Sequence, residues 1–356
     1  MIQSWTDFCV AMARLGDKAK GDAFEALVKR YLETSPLYCT KLRHVWLHRQ
    51  VPARVRQKIN LPAKDQGIDL VAETFDGEYW AIQAKFRTDE QSCLSWTELS
   101  TFAGLAYAVC RQIKFALVCT TTERVTRILH GLPGKVGFRT NEVWRSLAPE
   151  CFAELKVGRP PVRLRPFTPR PHQRAAIASV LRGFRKTGSR RGKLLMPCGS
   201  GKSHTAYWIA TELDAKTILI AVPSLALIRQ TLGDWLREVV AQRRVVEWIC
   251  VCSDQSAGKP ELDELTAFTH ELGVPCATEP AHIARWLRTH RDKTRVVFTT
   301  YQSGEAISDA ARQSKTRFDL AIMDEAHKTV GQRSSLFNHL GAAALVDVTS
   351  ADALVT

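Results

Sequence analysis

Asp69, Gln83 and Lys85 are spaced so that two neighbouring strands could gather an acid, an amide oxygen and an ammonium group. Gln83 and Lys85 stand two apart, so on a strand they share a face. An acid and a polar oxygen can hold a divalent metal that activates water, while a lysine stabilises charge developing on a phosphate. The same residues also suit an ordinary surface hairpin. A second group is Gly199-Ser200-Gly201-Lys202-Ser203. Glycines let backbone N–H groups close on phosphate oxygens, Lys202 neutralises their charge, and the Ser203 hydroxyl can ligate Mg²⁺. Met196 stands where the general phosphate-loop pattern has a further glycine. Asp324 and Glu325 end an apolar run over 318–323. Such a pair supplies a carboxylate to hold Mg²⁺, Asp324, and a base to orient water, Glu325.

The elements that position these groups follow from periodicity. Gly67 to Ala72 and Tyr79 to Phe86 are β-rich runs around Asp76-Gly77, which predicts a hairpin carrying Asp69 on one strand and Gln83 and Lys85 on the other. Ahead of it, Gly21 to Leu32 places Phe24, Leu27, Val28, Tyr31 and Leu32 on one helical stripe, with Glu25 beside it. Between them, Arg43, His44, His48, Arg49, Arg54, Arg56 and Lys58 make a basic segment, either a solvated strand edge or a phosphate-contacting rim. Beyond residue 171, strands and helices alternate as in a parallel α/β sheet: helix 171–185, strand 193–196, helix 202–213, strand 217–222, helix 225–241, and strands at 246–252, 295–299 and 318–323.

Taken with the Asp324-Glu325-Ala326-His327 box, the phosphate loop resembles the first RecA-like lobe of a superfamily 2 helicase or translocase. The resemblance covers about 165–330 and implies ATP as ligand. It makes Gln173, in RPHQRAAIASVL, the adenine-reading glutamine, with Gly199, Ser200, Gly201, Lys202 and Ser203 holding the phosphates. It assigns DNA contacts to two further motifs, one with Pro223, Ser224 and Arg229, the other with Thr300 and Tyr301. Glu325 becomes the catalytic base of ATP hydrolysis, and His327 couples nucleotide state to neighbouring motifs.

Asp69 followed by Gln83-x-Lys85 resembles the PD-(D/E)xK nuclease fold, in its Mrr-like branch of restriction endonucleases, over about 15–125. There an acid on the first helix also approaches the metal, and Glu25 matches it. The resemblance implies Mg²⁺ or Mn²⁺ held by Asp69 and Gln83, with Lys85 catalytic. Gln83 departs from the commoner acid, and a neutral amide binds Mg²⁺ less well than a carboxylate.

The chain has 356 residues and a formal net charge of +14, which favours an anionic partner, nucleic acid first. A hydrophobic fraction of 45% is that of a globular protein. No apolar run spans a bilayer and no leader pattern opens the chain, while ten cysteines lie scattered without a zinc-like spacing. A soluble chain in a reducing cytoplasm, without a membrane partner, is therefore expected. Val157 to Pro171 holds five prolines and four arginines, a linker by composition.

The expected organisation is an Mrr-like endonuclease domain over 1–158, a linker over 159–171 and a RecA-like lobe over 172–356, C-terminally incomplete. This order resembles the N-terminal part of single-chain type I-like, ATP-dependent restriction enzymes, which implies duplex DNA as substrate. Three functions stay open at this point. One is a metal-dependent endonuclease coupled to an ATP-binding translocase lobe. Another is a catalytically inactive DNA-binding fragment. The third is a motor subunit whose first domain is a DNA clamp, completed by another chain that supplies the second RecA lobe, methyltransferase or specificity functions.

Overall fold

The computed structural model describes residues 2–126, 128, 135–153, 164–186, 188, 191–253, 268–289, 292–324 and 344–350. They fall into two compact units, Met1–Arg163 with His270–Pro275, and Leu164–Thr269 with Cys276–Thr356.

In the first unit, helices α1 (Trp5–Ala13), α2 (Asp17–Thr34) and α3 (Pro36–Cys39) lead into β1 (Leu42–Leu47), α4 (Ala53–Lys58), β2 (Leu70–Thr74) and β3 (Tyr79–Lys85). Then follow β4 (Cys93–Leu94), α5 (Trp96–Gly104), β5 (Ile113–Thr120), β6 (Arg124–Val125), β7 (Val136–Arg139), α6 (Asn141–Arg145) and α7 (Pro149–Ala153). The main sheet runs β1-β2-β3-β5-β7, antiparallel through the first three strands and parallel from β3 onward. The expected hairpin is β2–β3: Gly77 turns the chain at φ 77°, and its amide donates to the Thr74 carbonyl at 3.0 Å. A residue with a Cβ is strained at such a φ.

Helix α2 buries its predicted stripe of Phe24, Leu27, Val28, Tyr31 and Leu32. Phe24 and Tyr31 each meet Trp144 edge-on, with ring centroids 5.2 Å apart. Ser95 and Glu98 close a reciprocal capping box on α5. The resemblance to the nuclease fold implies one helix from Ser95 to Cys110, but the chain widens into a π-turn over Leu105–Val109, and the Cys110 amide reaches the Leu105 carbonyl at 2.7 Å. The wider turn brings the adjacent Leu105 and Ala106 into the same core cluster.

Arg139, at the end of β7, is 4% exposed. It donates to the Tyr38 hydroxyl at 2.7 Å, to the Glu271 carbonyl at 2.7 Å and to the Leu272 carbonyl. Tyr38 donates in turn to the Gly273 carbonyl at 3.0 Å. A buried guanidinium is tolerable because its donors find acceptors, and here backbone carbonyls of 271–273 complete the unit.

The second unit contains α8 (Pro171–Lys186), β8 (Arg191–Met196), α9 (Lys202–Glu212), β9 (Thr217–Val222), α10 (Leu225–Ala241), β10 (Val246–Val251), β11 (Cys276–Ala277), α11 (Pro280–Thr289), β12 (Thr294–Thr300), α12 (Gly304–Ser314), β13 (Leu320–Asp324) and β14 (Ala344–Ser350). All seven strands are parallel, in the order β11-β10-β12-β9-β13-β14-β8. Strands β9, β12 and β13 are buried along most of their length, as a sheet covered on both faces requires. Residues 344–350 form an inner strand, β14, with Val346 opposite Ile322 on one side and Gly192 on the other.

Candidate active sites

Asp69 sits at the entrance to β2 and is fixed by the backbone. Its amide donates to the Ile82 carbonyl at 3.0 Å, its carbonyl accepts from His48 at 2.7 Å, and its Oδ2 accepts from the Ala84 amide at 2.6 Å. Glu25 of α2, Asp69 and Lys85 line one cavity of about 450 Å³, joined by Asp17, Lys20, Gly21 and Arg87. Burial pushes the Glu25 carboxyl up to about 7, and the nearby Asp69, Asp65 and Asp22 carboxylates push the same way while Arg49 opposes them. Burial likewise raises Asp69 to about 6; the Ala84 N–H opposes this, Asp65 adds to it, and Lys85 opposes it. Two raised carboxyls beside a lysine describe a pocket that favours a proton or a cation.

Gln83 is placed differently. It is 1% exposed, is not among the residues lining this cavity, and its Oε1 is buried without a hydrogen-bond partner. Its Nε2 lies 3.5 Å from where a Cβ on Gly67 would stand. Glu25, Asp69 and Lys85 are thus brought together, and Gln83 contributes an orphaned oxygen outside the cavity lining. Oxygen donors of this kind suit a hard divalent cation. Among the described residues, no three His, Cys, Asp or Glu side chains cluster as a metal site by themselves.

Sequence reasoning missed Lys20 and Arg87. Asp17 and Gly21 precede Glu25 at four-residue spacing and so share its helix face. Arg87 is held in place by Glu98, whose carboxyl stays near about 2: burial would raise it, but hydrogen bonds from Arg87 and Ser95 outweigh that. Of the basic segment, Arg43, His44, Arg49, Arg54 and Lys58 are exposed, whereas Arg56 turns inward to the Pro62 carbonyl at 2.6 Å and the His48 carbonyl at 2.6 Å.

The phosphate loop joins β8 to α9. Gly199 and Gly201 have φ of 71° and 85°, the left-handed conformation this turn needs. Gln173 of α8 closes against the loop: its Nε2 donates to the Ser200 carbonyl at 3.1 Å and the Gly201 carbonyl at 3.3 Å, and its Oε1 accepts from the Arg170 amide at 2.8 Å. It lines a cavity of about 170 Å³ with Gly199, Ser200, Gly201, Phe167, His204 and Trp208. Lys202, Ser203 and Asp324 line an adjoining pocket with Thr231 and Trp235 of α10. Burial raises the Asp234 carboxyl above its ordinary value, against the opposing effects of His204, Ser203 and Arg237. Glu325 and His327 lie outside the described residues.

The residues expected to touch DNA divide. Arg229 is exposed on α10, Pro223 is half-buried, and Ser224 is the N-cap of that helix, accepting from the Leu227 amide at 3.4 Å. Thr300 is fully buried with its hydroxyl 3.3 Å from Ser303, and the Tyr301 hydroxyl donates to the Asp324 carbonyl at 2.8 Å.

A seven-stranded parallel sheet with a phosphate loop, preceded in the chain by a five-stranded mixed sheet, defines an α/β protein of two units. The chain belongs to the family described as type III restriction enzyme, res subunit, whose pattern matches residues 166–351. Residues 33–131 match a family described as restriction endonuclease. Both domains are of hydrolase families.

A probable helicase of African swine fever virus, isolate Tick/South Africa/Pretoriuskop Pr4/1996, is 29% identical over 161 residues, covering 45% of this chain and 16% of the viral protein. Its counterpart from isolate Tick/Malawi/Lil 20-1/1983 is 31% identical over 144 residues, covering 40% and 14%. The solved structure of the ATP-dependent Type ISP restriction-modification enzyme LlaBIII bound to DNA matches with a TM-score of 0.76 at 23% identity, covering 98% of this chain and 22% of that one. That likeness shows the fold. The chain spans only 16% of the first viral relative's length. Among the described residues, no helix is long and apolar enough to cross a membrane.

Proposed function

We propose that this chain cuts duplex DNA by metal-dependent phosphodiester hydrolysis in its first unit and binds Mg-ATP in its second, as parts of a DNA-translocating restriction enzyme acting in the cytoplasm. The observation that supports this most is the convergence of Glu25, Asp69 and Lys85 on one cavity with both carboxyls raised. Asp69 would hold Mg²⁺ or Mn²⁺, with the Gln83 oxygen as a further donor, and the ion would supply Lewis acidity toward water and the scissile phosphate. Glu25, with its carboxyl near about 7, is suited to accept a proton from the attacking water. Water adds to phosphorus, the bond from phosphorus to the leaving sugar oxygen breaks, and the Lys85 ammonium stabilises the charge that develops. The net charge of +14 supports attraction of the DNA backbone.

In the second unit, Gly199 to Lys202 would take the phosphates, Ser203 and Asp324 the magnesium, and Gln173 the base edge, with Arg229 contacting DNA. Turnover further requires an arginine that reaches the γ-phosphate. Among the described residues, none that lines the Lys202 pocket is an arginine, and this reading assigns the chain nucleotide binding.

The test is cleavage of plasmid and linear duplex DNA with Mg²⁺ or Mn²⁺, with and without ATP, beside Asp69→Ala. Metal-dependent cutting lost in the variant is expected. Salt-sensitive DNA binding without any cutting would instead place the chain among DNA-binding modules.

A further inference from the structure

Arg87 follows Lys85 by two residues and lines the same cavity of about 450 Å³, with its side chain partly exposed. Thr121 pins its backbone: the Arg87 amide donates to Oγ1 at 2.7 Å, and that hydroxyl donates to the Arg87 carbonyl at 2.8 Å. Its guanidinium gives one Nη2 hydrogen to Oε1 of Glu98 and one Nη1 hydrogen to the Phe86 carbonyl at 3.3 Å. A guanidinium carries five N–H donors in a rigid fork, so three remain for a ligand after these two bonds.

Both oxygens of Glu98 are engaged. Oε1 takes Arg87, while Oε2 accepts from the Ser95 amide at 2.9 Å and the Ser95 hydroxyl at 2.7 Å, which closes the cap of α5. The helix is itself fixed by Leu99 and Phe102 in the core. Arg87 is thus held at its backbone by Thr121 and at its tip by a packed helix. A side chain ordered in advance loses less freedom when it takes a ligand, and the planar fork suits a phosphate. Extended chain advances at most about 3.6 Å per residue, so the Arg87 and Lys85 backbones stand within about 7 Å of each other. Two cations placed this way face successive phosphates of one strand.

We propose that Arg87 holds a phosphate of the DNA strand next to the one faced by Lys85, and that Glu98 is the positioning residue that sets its guanidinium for that contact. This rests on the reading of the cavity as the place where the strand is cut. It adds a second phosphate and the pair of side chains that grip it.

The experiment measures affinity of the full chain for a short duplex oligonucleotide in Mg²⁺ over a series of KCl concentrations, in a Lys85→Ala background so that the duplex stays uncut. Each phosphate contact contributes about 0.9 to the slope of log affinity against log salt. Arg87→Ala should lower that slope by about one. Arg87→Lys, which keeps the charge and loses the fork, should keep the slope. Glu98→Gln still caps α5, but its single oxygen cannot serve both Ser95 and Arg87. It should weaken binding severalfold beside Arg87 and not beside Arg87→Ala, the non-additivity expected of residues that act through each other. With Lys85 intact, Arg87→Ala should raise KM for plasmid nicking more than it lowers kcat, as loss of uniform binding does. An unchanged slope in Arg87→Ala would overturn the proposal, and equal effects of Glu98→Gln in both backgrounds would overturn the role of Glu98. A slope that falls in a chain that never nicks would overturn the reading of cutting and leave the phosphate contact standing; nicking with an unchanged slope would do the reverse. A chain that binds no duplex at any salt would overturn both.

Discussion

Gln173 and Gly201 are locked together: the Gln173 Nε2 donates to the Gly201 carbonyl at 3.3 Å, and a Cβ on Gly201 would come within 2.5 Å of that same nitrogen. Gly201 also has a φ of 85°. The glutamine is therefore part of the phosphate loop's wall even without nucleotide, and the glycine is required by both its backbone conformation and its neighbour.

Gly201→Ala should consequently lose nucleotide binding and some stability together. A non-glycine residue in the left-handed region costs about 1–3 kcal/mol, and Gln173, only 4% exposed, has little room to retreat. Denaturant unfolding and titration with a fluorescent ATP analogue check this. Unchanged affinity would show that the loop tolerates a Cβ and that Gln173 moves aside.

The nuclease cavity should make stability depend on pH in a defined direction. Glu25 and Asp69 are raised to about 7 and about 6 by burial first of all. A raised carboxyl favours the folded state at low pH, because the folded protein keeps its proton when the unfolded chain has released it. That contribution is full below the ordinary carboxyl range and is lost as pH rises through about 6 to 7. In EDTA, the melting temperature should fall across this window, and Glu25→Gln should flatten the fall. Added Mg²⁺ should raise the melting temperature at the high-pH end most, since a cation replaces the protons. A melting temperature that is flat with pH in the wild type would contradict the burial of these two groups.

Much of the site was legible because its signals are local. The hairpin follows from alternation around Asp76-Gly77, the α2 stripe from spacing of apolar residues, and the phosphate loop from its glycines. What could not be read depends on contacts between distant parts of the chain. Nothing in the sequence near Lys20 or Arg87 announces that they meet Asp69, and the burial of Gln83 away from the cavity depends on how β3 packs rather than on its alternation. Strand β14 was missed because its pairing partners, β13 and β8, lie far away in sequence. The segment 270–275 was counted with the second domain, yet its bonds to Arg139 and Tyr38 run through backbone carbonyls, which leave no trace in residue type.

Those carbonyls give a stability prediction. Arg139→Met would fill similar volume but leave the Glu271 and Leu272 carbonyls and part of the Tyr38 hydroxyl's bonding unsatisfied. Each buried group stripped of its partner costs about 1–3 kcal/mol, so a total loss of roughly 3 kcal/mol or more is expected. Chemical denaturation monitored by tryptophan fluorescence measures it. A loss below about 1 kcal/mol would mean that water replaces the guanidinium.

Lys85 and Asp69 should separate catalysis from folding. Asp69→Asn keeps an oxygen for the Ala84 amide, now 2.6 Å from Oδ2, so the hairpin should survive while the charge that attracts a cation disappears. Lys85→Ala leaves the carboxylates in place and removes the charge that faces the developing phosphate dianion. In each variant, nicking of supercoiled plasmid should drop by about 10²-fold or more, the scale of losing one electrostatic stabiliser in an enclosed site. DNA binding measured by gel shift should remain within severalfold, because exposed Arg43, Arg49, Arg54 and Lys58 keep their charges in both variants. The two variants should differ in one respect: protection by Mg²⁺ against thermal unfolding should persist in Lys85→Ala and be lost in Asp69→Asn. If both keep Mg²⁺ protection, the cation is held by groups other than Asp69. If both lose binding to DNA along with cleavage, the cavity serves as a grip on the backbone rather than as the place where it is cut.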